Sequence, residues 1–487
     1  MRHRQPGFPA HPDAGRYPPT PWAAARLYRG FVLAAIASGL SGFGLGAALL
    51  LATLRPNAPT LSSVALIEVH GAVQLIGWCG LFTMGVAAHV IPRFRGNSAI
   101  PFPWPQRATL FLVAGGLIAR SVAQPWLAMP GRAGVLVGGG IAVSAGFVLF
   151  AATAGIALSR GQRTKQRVEH WLWPGLIAAL VTSALYLGLN VELAGRDATL
   201  ADPRWNAAFH SAVVYGFLVP FAFGVSGRAV AGLFRLRPRH DQLDRLALLL
   251  LVAGLVLLLL AQMDAGEGAA HGIAHLLIGA ALLTFTIGLR VLEPGTTSLS
   301  GSQRYVTVAY GWLVVAAVLL MAGAFAGANG RFPGQPELHA VGAGFLTNLI
   351  IGFGSRALPL FEHRALRGIA GLSLAFWLIQ YSVATRVIGA FVALPDVVIA
   401  TAAPAGLLGF MLGVIPLLDL LLRGRTETPH SVGRFISSLG RSAGGRTPCP
   451  EAPGRPRLLD WQPLAASAVV SPEGALNEKP AVRRASR

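Results

Sequence analysis

The chain has 487 residues, of which 53% are hydrophobic and only 12% carry a formal charge. About a quarter of the residues in a soluble domain are charged, so this composition excludes an ordinary soluble globular protein and points to a polytopic membrane protein. The net charge of +20 would mark a nucleic-acid binder in a soluble chain, but here the cations fall in loops between apolar runs. That layout reads as membrane topology and attraction to anionic lipid, with no nucleic-acid partner.

In chain order, residues 1–28 are rich in Pro and Arg with no apolar core. They read as a disordered basic segment, and no cleavable signal peptide of the usual form is expected there. Twelve runs of roughly twenty apolar residues follow, each long enough to cross hydrocarbon as a helix. They are expected at about 30–54, 63–92, 108–128, 134–159, 171–194, 206–235, 244–262, 269–292, 305–328, 337–361, 367–392 and 396–422. The fold class is therefore all-α, a twelve-helix transmembrane domain over 29–422. From 423 to 487 the chain turns to Arg, Pro, Ser and Gly and is expected to be a disordered basic tail. Its two cysteines are Cys79, inside the second span, and Cys449, in the tail. A structural disulfide is not expected, and the lack of a Cys-x-x-Cys-His leaves no attachment site for a c-type heme.

The loops after even-numbered spans hold Arg93, Arg95 and Arg107, then Arg160, Arg163, Lys165 and Arg167, then Arg235, Arg237, Arg239 and Arg245, then Arg304, and finally Arg364 and Arg367. Those after odd-numbered spans carry Asp197, Asp202, Asp264, Glu267, Glu337 and Asp396. By the positive-inside rule both termini are cytoplasmic.

Three spans begin with a histidine and end in a Gly-x-x-x-cation step followed by Phe. They run His70 to Gly85-x-x-x-His89 and Phe94, His210 to Gly224-x-x-x-Arg228 and Phe234, and His339 to Gly352-x-x-x-Arg356 and Phe361. The cation ends lie roughly 25–28 Å away at helical rise and are accounted for as interfacial anchors. The histidine ends are not, because an imidazole inside a bilayer is expensive and is also a good metal ligand. His271 and His275 begin the eighth span, which puts five histidines on four helices near the outer face. Four apart, these two share a helical face and can reach one metal.

Two arginines, Arg120 and Arg386, fall inside spans and need anionic partners. Glu68, Glu192, Asp264 and Glu267 share their leaflet, and the propionates of a heme would serve equally. Below His70, Gln74 and Trp78 continue a stripe at one-turn spacing, which is either helix packing or a cofactor wall.

The run His339-Ala-Val-Gly-Ala-Gly-Phe-Leu-Thr347…Gly352-Phe-Gly-Ser-Arg356 resembles the His-x4-Gly-x2-Thr-x4-Gly-x3-Arg signature of the NnrS family, and His70…Gly85…Pro92 is similar to that family's N-terminal histidine segment. The resemblance covers about residues 30 to 422. It implies a twelve-span bacterial inner-membrane protein that binds heme and copper and is linked to nitric oxide metabolism, denitrification and nitrosative stress. On that basis His70 and His339 are the first choice for heme iron, and His210, His271 and His275 for copper or a second heme. Arg120, Arg386, Gln74 and Trp78 would contact the cofactor. The implied partners are the lipid bilayer, a small gas such as nitric oxide and a redox partner that the residues do not identify.

A more distant comparison is with subunit I of the heme-copper oxidases, whose metal-ligating histidines lie on helices 2, 6, 7 and 10. The chain departs from that pattern: it has no His-Pro-Glu-Val on the sixth span, no tandem histidines on the seventh and no His-x-His on the tenth. Oxygen reduction and proton pumping are therefore not expected, and Tyr215, five residues after His210, reads as packing. The alternatives are a cofactor-free transporter with proton-coupling histidines and a divergent oxidase-like subunit.

Overall fold

The computed structural model describes residues 26–52, 54, 61–97, 100–161, 169–237, 239–263, 269–293, 301–325 and 335–423. The expectations for the basic N-terminal segment before residue 26, for the tail with Cys449, and for Asp264, Glu267, Arg163, Lys165 and Arg167 lie outside these residues.

Among the described residues there are twelve long helices: α1 (Tyr28–Ala52), α2 (Val64–Phe94), α3 (Pro103–Ala123), α4 (Arg132–Ser159), α5 (Glu169–Gly195), α6 (Pro203–Leu233), α7 (Asp241–Met263), α8 (Ala269–Leu289), α9 (Gln303–Gly323), α10 (Pro336–Glu362), α11 (Gly371–Ile388) and α12 (Asp396–Leu422). Eleven are long and apolar enough to span a bilayer. A helix satisfies every backbone donor and acceptor within its own segment, which is why apolar runs of this length take no other form in hydrocarbon. The remaining helix, α3, is 21 residues long but more polar. Its Gln106, Thr109 and Arg120 are all buried in the protein. Gln106 donates to Thr153 and Thr109 to the Gly146 carbonyl on α4, so the polarity of α3 faces a neighbouring helix. A Cβ on Gly116 would lie 2.5 Å from the Gly139 carbonyl oxygen, so only glycine permits the backbones of α3 and α4 to approach this closely.

Three helices form the centre. In their most apolar 18-residue stretches, 94% of α2, 83% of α6 and 78% of α10 is buried, against 28% to 56% in the other eight apolar helices. Around them run three arcs in which neighbours in sequence pack together: α3, α4 and α5; α7, α8 and α9; α11, α12 and, closing back on the start, α1. An inner helix thus recurs every fourth span. The outer arcs present Phe111, Ile118, Ile177, Leu249, Leu260 and Ile287 outward, the apolar surface expected against lipid acyl chains.

The inner helices share a second feature that their sequences do not announce. Each has a π-helical stretch just after its histidine: Val73–Gly80 in α2, Ala212–Leu218 in α6 and Ala340–Thr347 in α10. The wider turn displaces carbonyls from their usual donors, and side chains answer for some of them. In α10 the Thr347 hydroxyl donates to the Gly342 carbonyl at 3.0 Å, and Asn348 Nδ2 to that of Gly344 at 2.7 Å. The stretch of α2 packs against those of both α6 and α10.

Candidate heme site at the histidine end

The three inner-helix histidines lie at one end of the bundle. A Cβ on Gly71 would lie 3.0 Å from His210 Nε2, which puts His210 beside the residue next to His70. His70, His339 and Arg386 of α11 are within electrostatic reach of one another.

Two of the rings are held alike, and the third, His339, is turned the same way by a longer contact. His70 Nδ1 lies 2.8 Å from the Gly42 carbonyl oxygen of α1, His210 Nδ1 2.8 Å from that of Asn206, and His339 Nδ1 3.4 Å from that of Gln335. A carbonyl can only accept, so in each ring Nδ1 carries the proton and Nε2 the lone pair. This is how ligating imidazoles are oriented in metal proteins, where a second contact sets the tautomer and aims the ligand atom. Around His70 the fit is close: a Cβ on Gly46 would stand 2.7 Å from its Cε1, and Gln74 packs its amide against Gly42. Gly42 and Gly46, four apart on α1, are therefore part of the site. The sequence signal was available in the run Gly39, Gly42, Gly44, Gly46, but glycines are common in membrane helices.

Two observations bear on whether a heme fits. Arg386 makes no hydrogen bond or ion pair among the described residues, and it is partly open on the surface of α11. Among the described residues it thus meets no carboxylate, Asp264 and Glu267 lying outside them, and it is within electrostatic reach of His70 and His339. In α10, one turn from His339, a Cβ added to Gly342 would meet nothing within 4 Å, which leaves room for a planar group on an otherwise dense helix. Apolar walls stand nearby: Phe43 stacks on Phe410 at 4.5 Å, and Phe410 meets Trp78 edge-on at 4.8 Å.

Other candidates are placed differently. Trp78 is fully buried and donates from Nε1 to Thr347 Oγ1 at 3.1 Å, a strut between α2 and α10. The π-helical stretch breaks the simple one-turn spacing of His70, Gln74 and Trp78, because it begins at Val73. Arg120 belongs to the α3–α5 arc. Its Nε donates to Gln124 at 2.9 Å, Gln124 donates to Glu68 at 2.7 Å, and its guanidinium carbon is 5.0 Å from the centre of the Tyr186 ring. The carboxylate expected for Arg120 is thus Glu68, reached through an amide. Glu192 instead pairs with Arg196. His271 and buried His275 are on α8, in an outer arc. Among the described residues no three His, Cys, Asp or Glu side chains form a group that could hold a metal ion.

At the opposite end the cations are anchors, but tightly built ones. Glu362, closing α10, accepts from the Tyr28 hydroxyl at 2.6 Å and from Arg29. His89 packs between Tyr28 and Phe361, with centroids at 4.7 and 4.0 Å. Arg228 donates to the Phe94 carbonyl at 3.1 Å and lies over the Phe94 ring. Just past α8, the Arg290 guanidinium hydrogen-bonds Glu293 and holds its carboxyl below the ordinary range.

Residues 25–425 match the family model described as NnrS protein. The chain belongs to the NnrS family. No curated protein matches it closely enough to add to that assignment. The match spans all twelve helices, and a multi-pass membrane protein consistent with a link to nitric oxide is what family and architecture together support.

Proposed function

We propose that this NnrS-family protein is a heme protein of the bacterial cytoplasmic membrane, with His70 of α2 and His339 of α10 as the iron ligands, and that it handles nitric oxide. The observation that carries the reading is the pairing of two inner-helix histidines, each with its Nδ1 on a backbone carbonyl, within electrostatic reach of a cation that meets no carboxylate among the described residues. Heme would supply an iron centre able to bind a diatomic gas and to exchange single electrons. The chain's own residues do the rest. Gly42 holds the His70 tautomer, Arg386 is placed to pair with a carboxylate such as a propionate, and Phe43, Phe410 and Trp78 form apolar walls that favour a small apolar gas over water.

Copper is supported less well. A bare ion needs several protein ligands meeting in one place, whereas His210, His271 and His275 are divided between an inner helix and an outer arc. A porphyrin fills the equatorial positions itself and asks only for one or two imidazoles, which suits the donors present.

The test is the pyridine hemochrome and Soret spectrum of protein purified from heme-replete cells, with metal analysis on the same sample. The reading expects a Soret band that shifts on adding nitric oxide, that is lost in His70→Ala or His339→Ala, and that survives His89→Ala at the opposite end. A colourless, metal-free preparation overturns it.

A further inference from the structure

A circuit of polar contacts closes around the π-helical stretch of α10 that follows His339. Trp312 of α9 donates from Nε1 to Gln380 Oε1 at 2.7 Å, Gln380 of α11 donates from Nε2 to Asn348 Oδ1 at 2.8 Å, and Asn348 donates from Nδ2 to the Gly344 carbonyl at 2.7 Å. The second Gln380 proton reaches the Phe376 carbonyl of its own helix at 3.3 Å. The circuit returns to its start, because a Cβ on Gly344 would lie 2.6 Å from Cγ of the same Trp312. Its direction is fixed at both ends. An indole N–H can only donate and a backbone carbonyl can only accept, so neither amide between them can be turned over without setting donor against donor. Gln380 therefore bridges α9 and α10 with an acceptor on one side and a donor on the other, and an apolar residue of the same length offers neither.

We propose that Gln380 is a positioning residue for His339, acting by holding the π-helical stretch of α10 in its wider form. The stretch runs from Ala340 to Thr347, directly after the histidine. A π turn bonds i to i+5 and so holds one residue more than an α turn. Were it to close to α-helical bonding, everything before it would turn by about 100° relative to everything after it, one residue's share of an α-helical turn. The part after it cannot follow, since Glu362 at its far end is bonded to Tyr28 and Arg29 of α1. The rotation would therefore fall on Pro336–His339, and the His339 ring would leave the side from which it now reaches His70 and Arg386. Asn348 opposes that closure. In an α-helix its backbone N–H would bond the Gly344 carbonyl; here its side chain takes that carbonyl, and the N–H is turned to the carbonyl of Phe345. Gln380 holds the Asn348 amide in this pose, and Arg386 lies six residues further along the same helix, about 9 Å at helical rise, so one contact also docks α11 beside the histidine. What this does to a bound heme rests on the reading above, whereas the direction of His339 does not.

Distances between spin labels on the full chain in lipid nanodiscs test this without any heme. One label replaces exposed Gln335, just before α10, and the other replaces exposed Trp126 or Phe325 in turn, with Cys79 and Cys449 changed to Ala. At a helix rim about 5–6 Å from the axis, a turn of about 100° carries the first label through about 8–9 Å. Gln380→Met keeps the length of the side chain and removes both bonds, and it is expected to shift at least one of the two distances by about 5 Å or more. Tyr305→Phe is the control, since it too removes a bond between α9 and α11, from the Tyr305 hydroxyl to the Leu372 carbonyl at 2.6 Å, but lies outside the circuit and should leave both distances alone. Should Gln380→Met fail to fold, Gln380→Glu at alkaline pH decides in its place, because it keeps the acceptor for Trp312 and has no proton for Asn348. Both distances unchanged in the folded variant overturn the proposal. In protein from heme-replete cells the same variant should lose Soret absorbance as His339→Ala does; a wild type that takes up no heme tells against the heme reading alone, and the label distances still decide the role of Gln380.

Discussion

Gly46→Ala tests the heme reading without touching a proposed ligand. The new Cβ would stand 2.7 Å from His70 Cε1 and 3.2 Å from its Nδ1, so the ring must retreat by about 0.7 Å to reach ordinary contact at 3.4 Å. Retreat stretches the 2.8 Å bond from Nδ1 to the Gly42 carbonyl. Losing that bond costs about 1 kcal/mol, and residual overpacking adds about 1–3 kcal/mol. Together these come to about 2–4 kcal/mol; at about 1.4 kcal/mol per factor of ten, heme affinity should fall by about thirty- to seven-hundredfold, its lower part overlapping the roughly ten- to hundredfold typical when the contact that orients a metal ligand is removed. Gly44→Ala is the control. It lies on the same helix, where a Cβ meets nothing within 4 Å, and it carries the same gain in helix propensity of about 1 kcal/mol. Heme titration of the apoprotein, followed at the Soret band after size exclusion has shown both variants folded, gives the comparison. Equal affinities for the two variants would refute the assignment of His70 as an iron ligand oriented by α1.

Glu362→Gln weakens the clamp between α1 and α10. Removing one partner of a fully buried pair costs about 3–5 kcal/mol, and the 23% exposure of the Arg29 side chain reduces this to about 2 kcal/mol; thermal melting in detergent should show the drop, and an unchanged melting temperature would mean the cluster is not a clamp. Trp78→Phe should cost about 1 kcal/mol through the lost bond to Thr347 while heme uptake stays unchanged; a shifted Soret band with normal melting would make Trp78 a cofactor contact instead. For orientation, a fluorescent protein fused after Arg423 should fluoresce in the cytoplasm and alkaline phosphatase inserted beside Arg196 should be active, and the opposite pair of results would invert the topology.

The legible part of this fold was the part that the bilayer penalises. Apolar length located all twelve long helices among the described residues, eleven of them apolar enough to span a bilayer, and the expense of imidazole in hydrocarbon singled out His70, His210 and His339, which do come to one end of the bundle. What stayed hidden depends on neighbours. Which helices are central is only partly written in hydrophobicity: α2, α6 and α10 are less apolar than α4, α7 or α12, but so is α11, which lies in an outer arc. The π-helical stretches were hidden for a related reason: they are tolerated only where surrounding helices and side chains such as Thr347 and Asn348 take up the displaced carbonyls.

The three similar inner segments therefore do not make three equivalent sites. Each supplies a histidine and a π-helical turn at the same level, but the environment of each ring is set by what packs beside it. His70 is turned to the glycines of α1 and His339 lies near Arg386 of α11, so these two share the arc that joins the two ends of the transmembrane chain. His210 is turned instead to Gly71 of α2, with Gln262 of α7 bonded to the adjacent Ser211 at 3.0 Å. A common backbone thus gives one histidine pair near a cation that meets no carboxylate among the described residues, and one histidine in a different polar setting. If the iron sits where the cation is, replacing His210 should leave the Soret band in place while replacing either member of the pair removes it. That asymmetry would not be expected from the sequence repeat, which treats the three histidines alike.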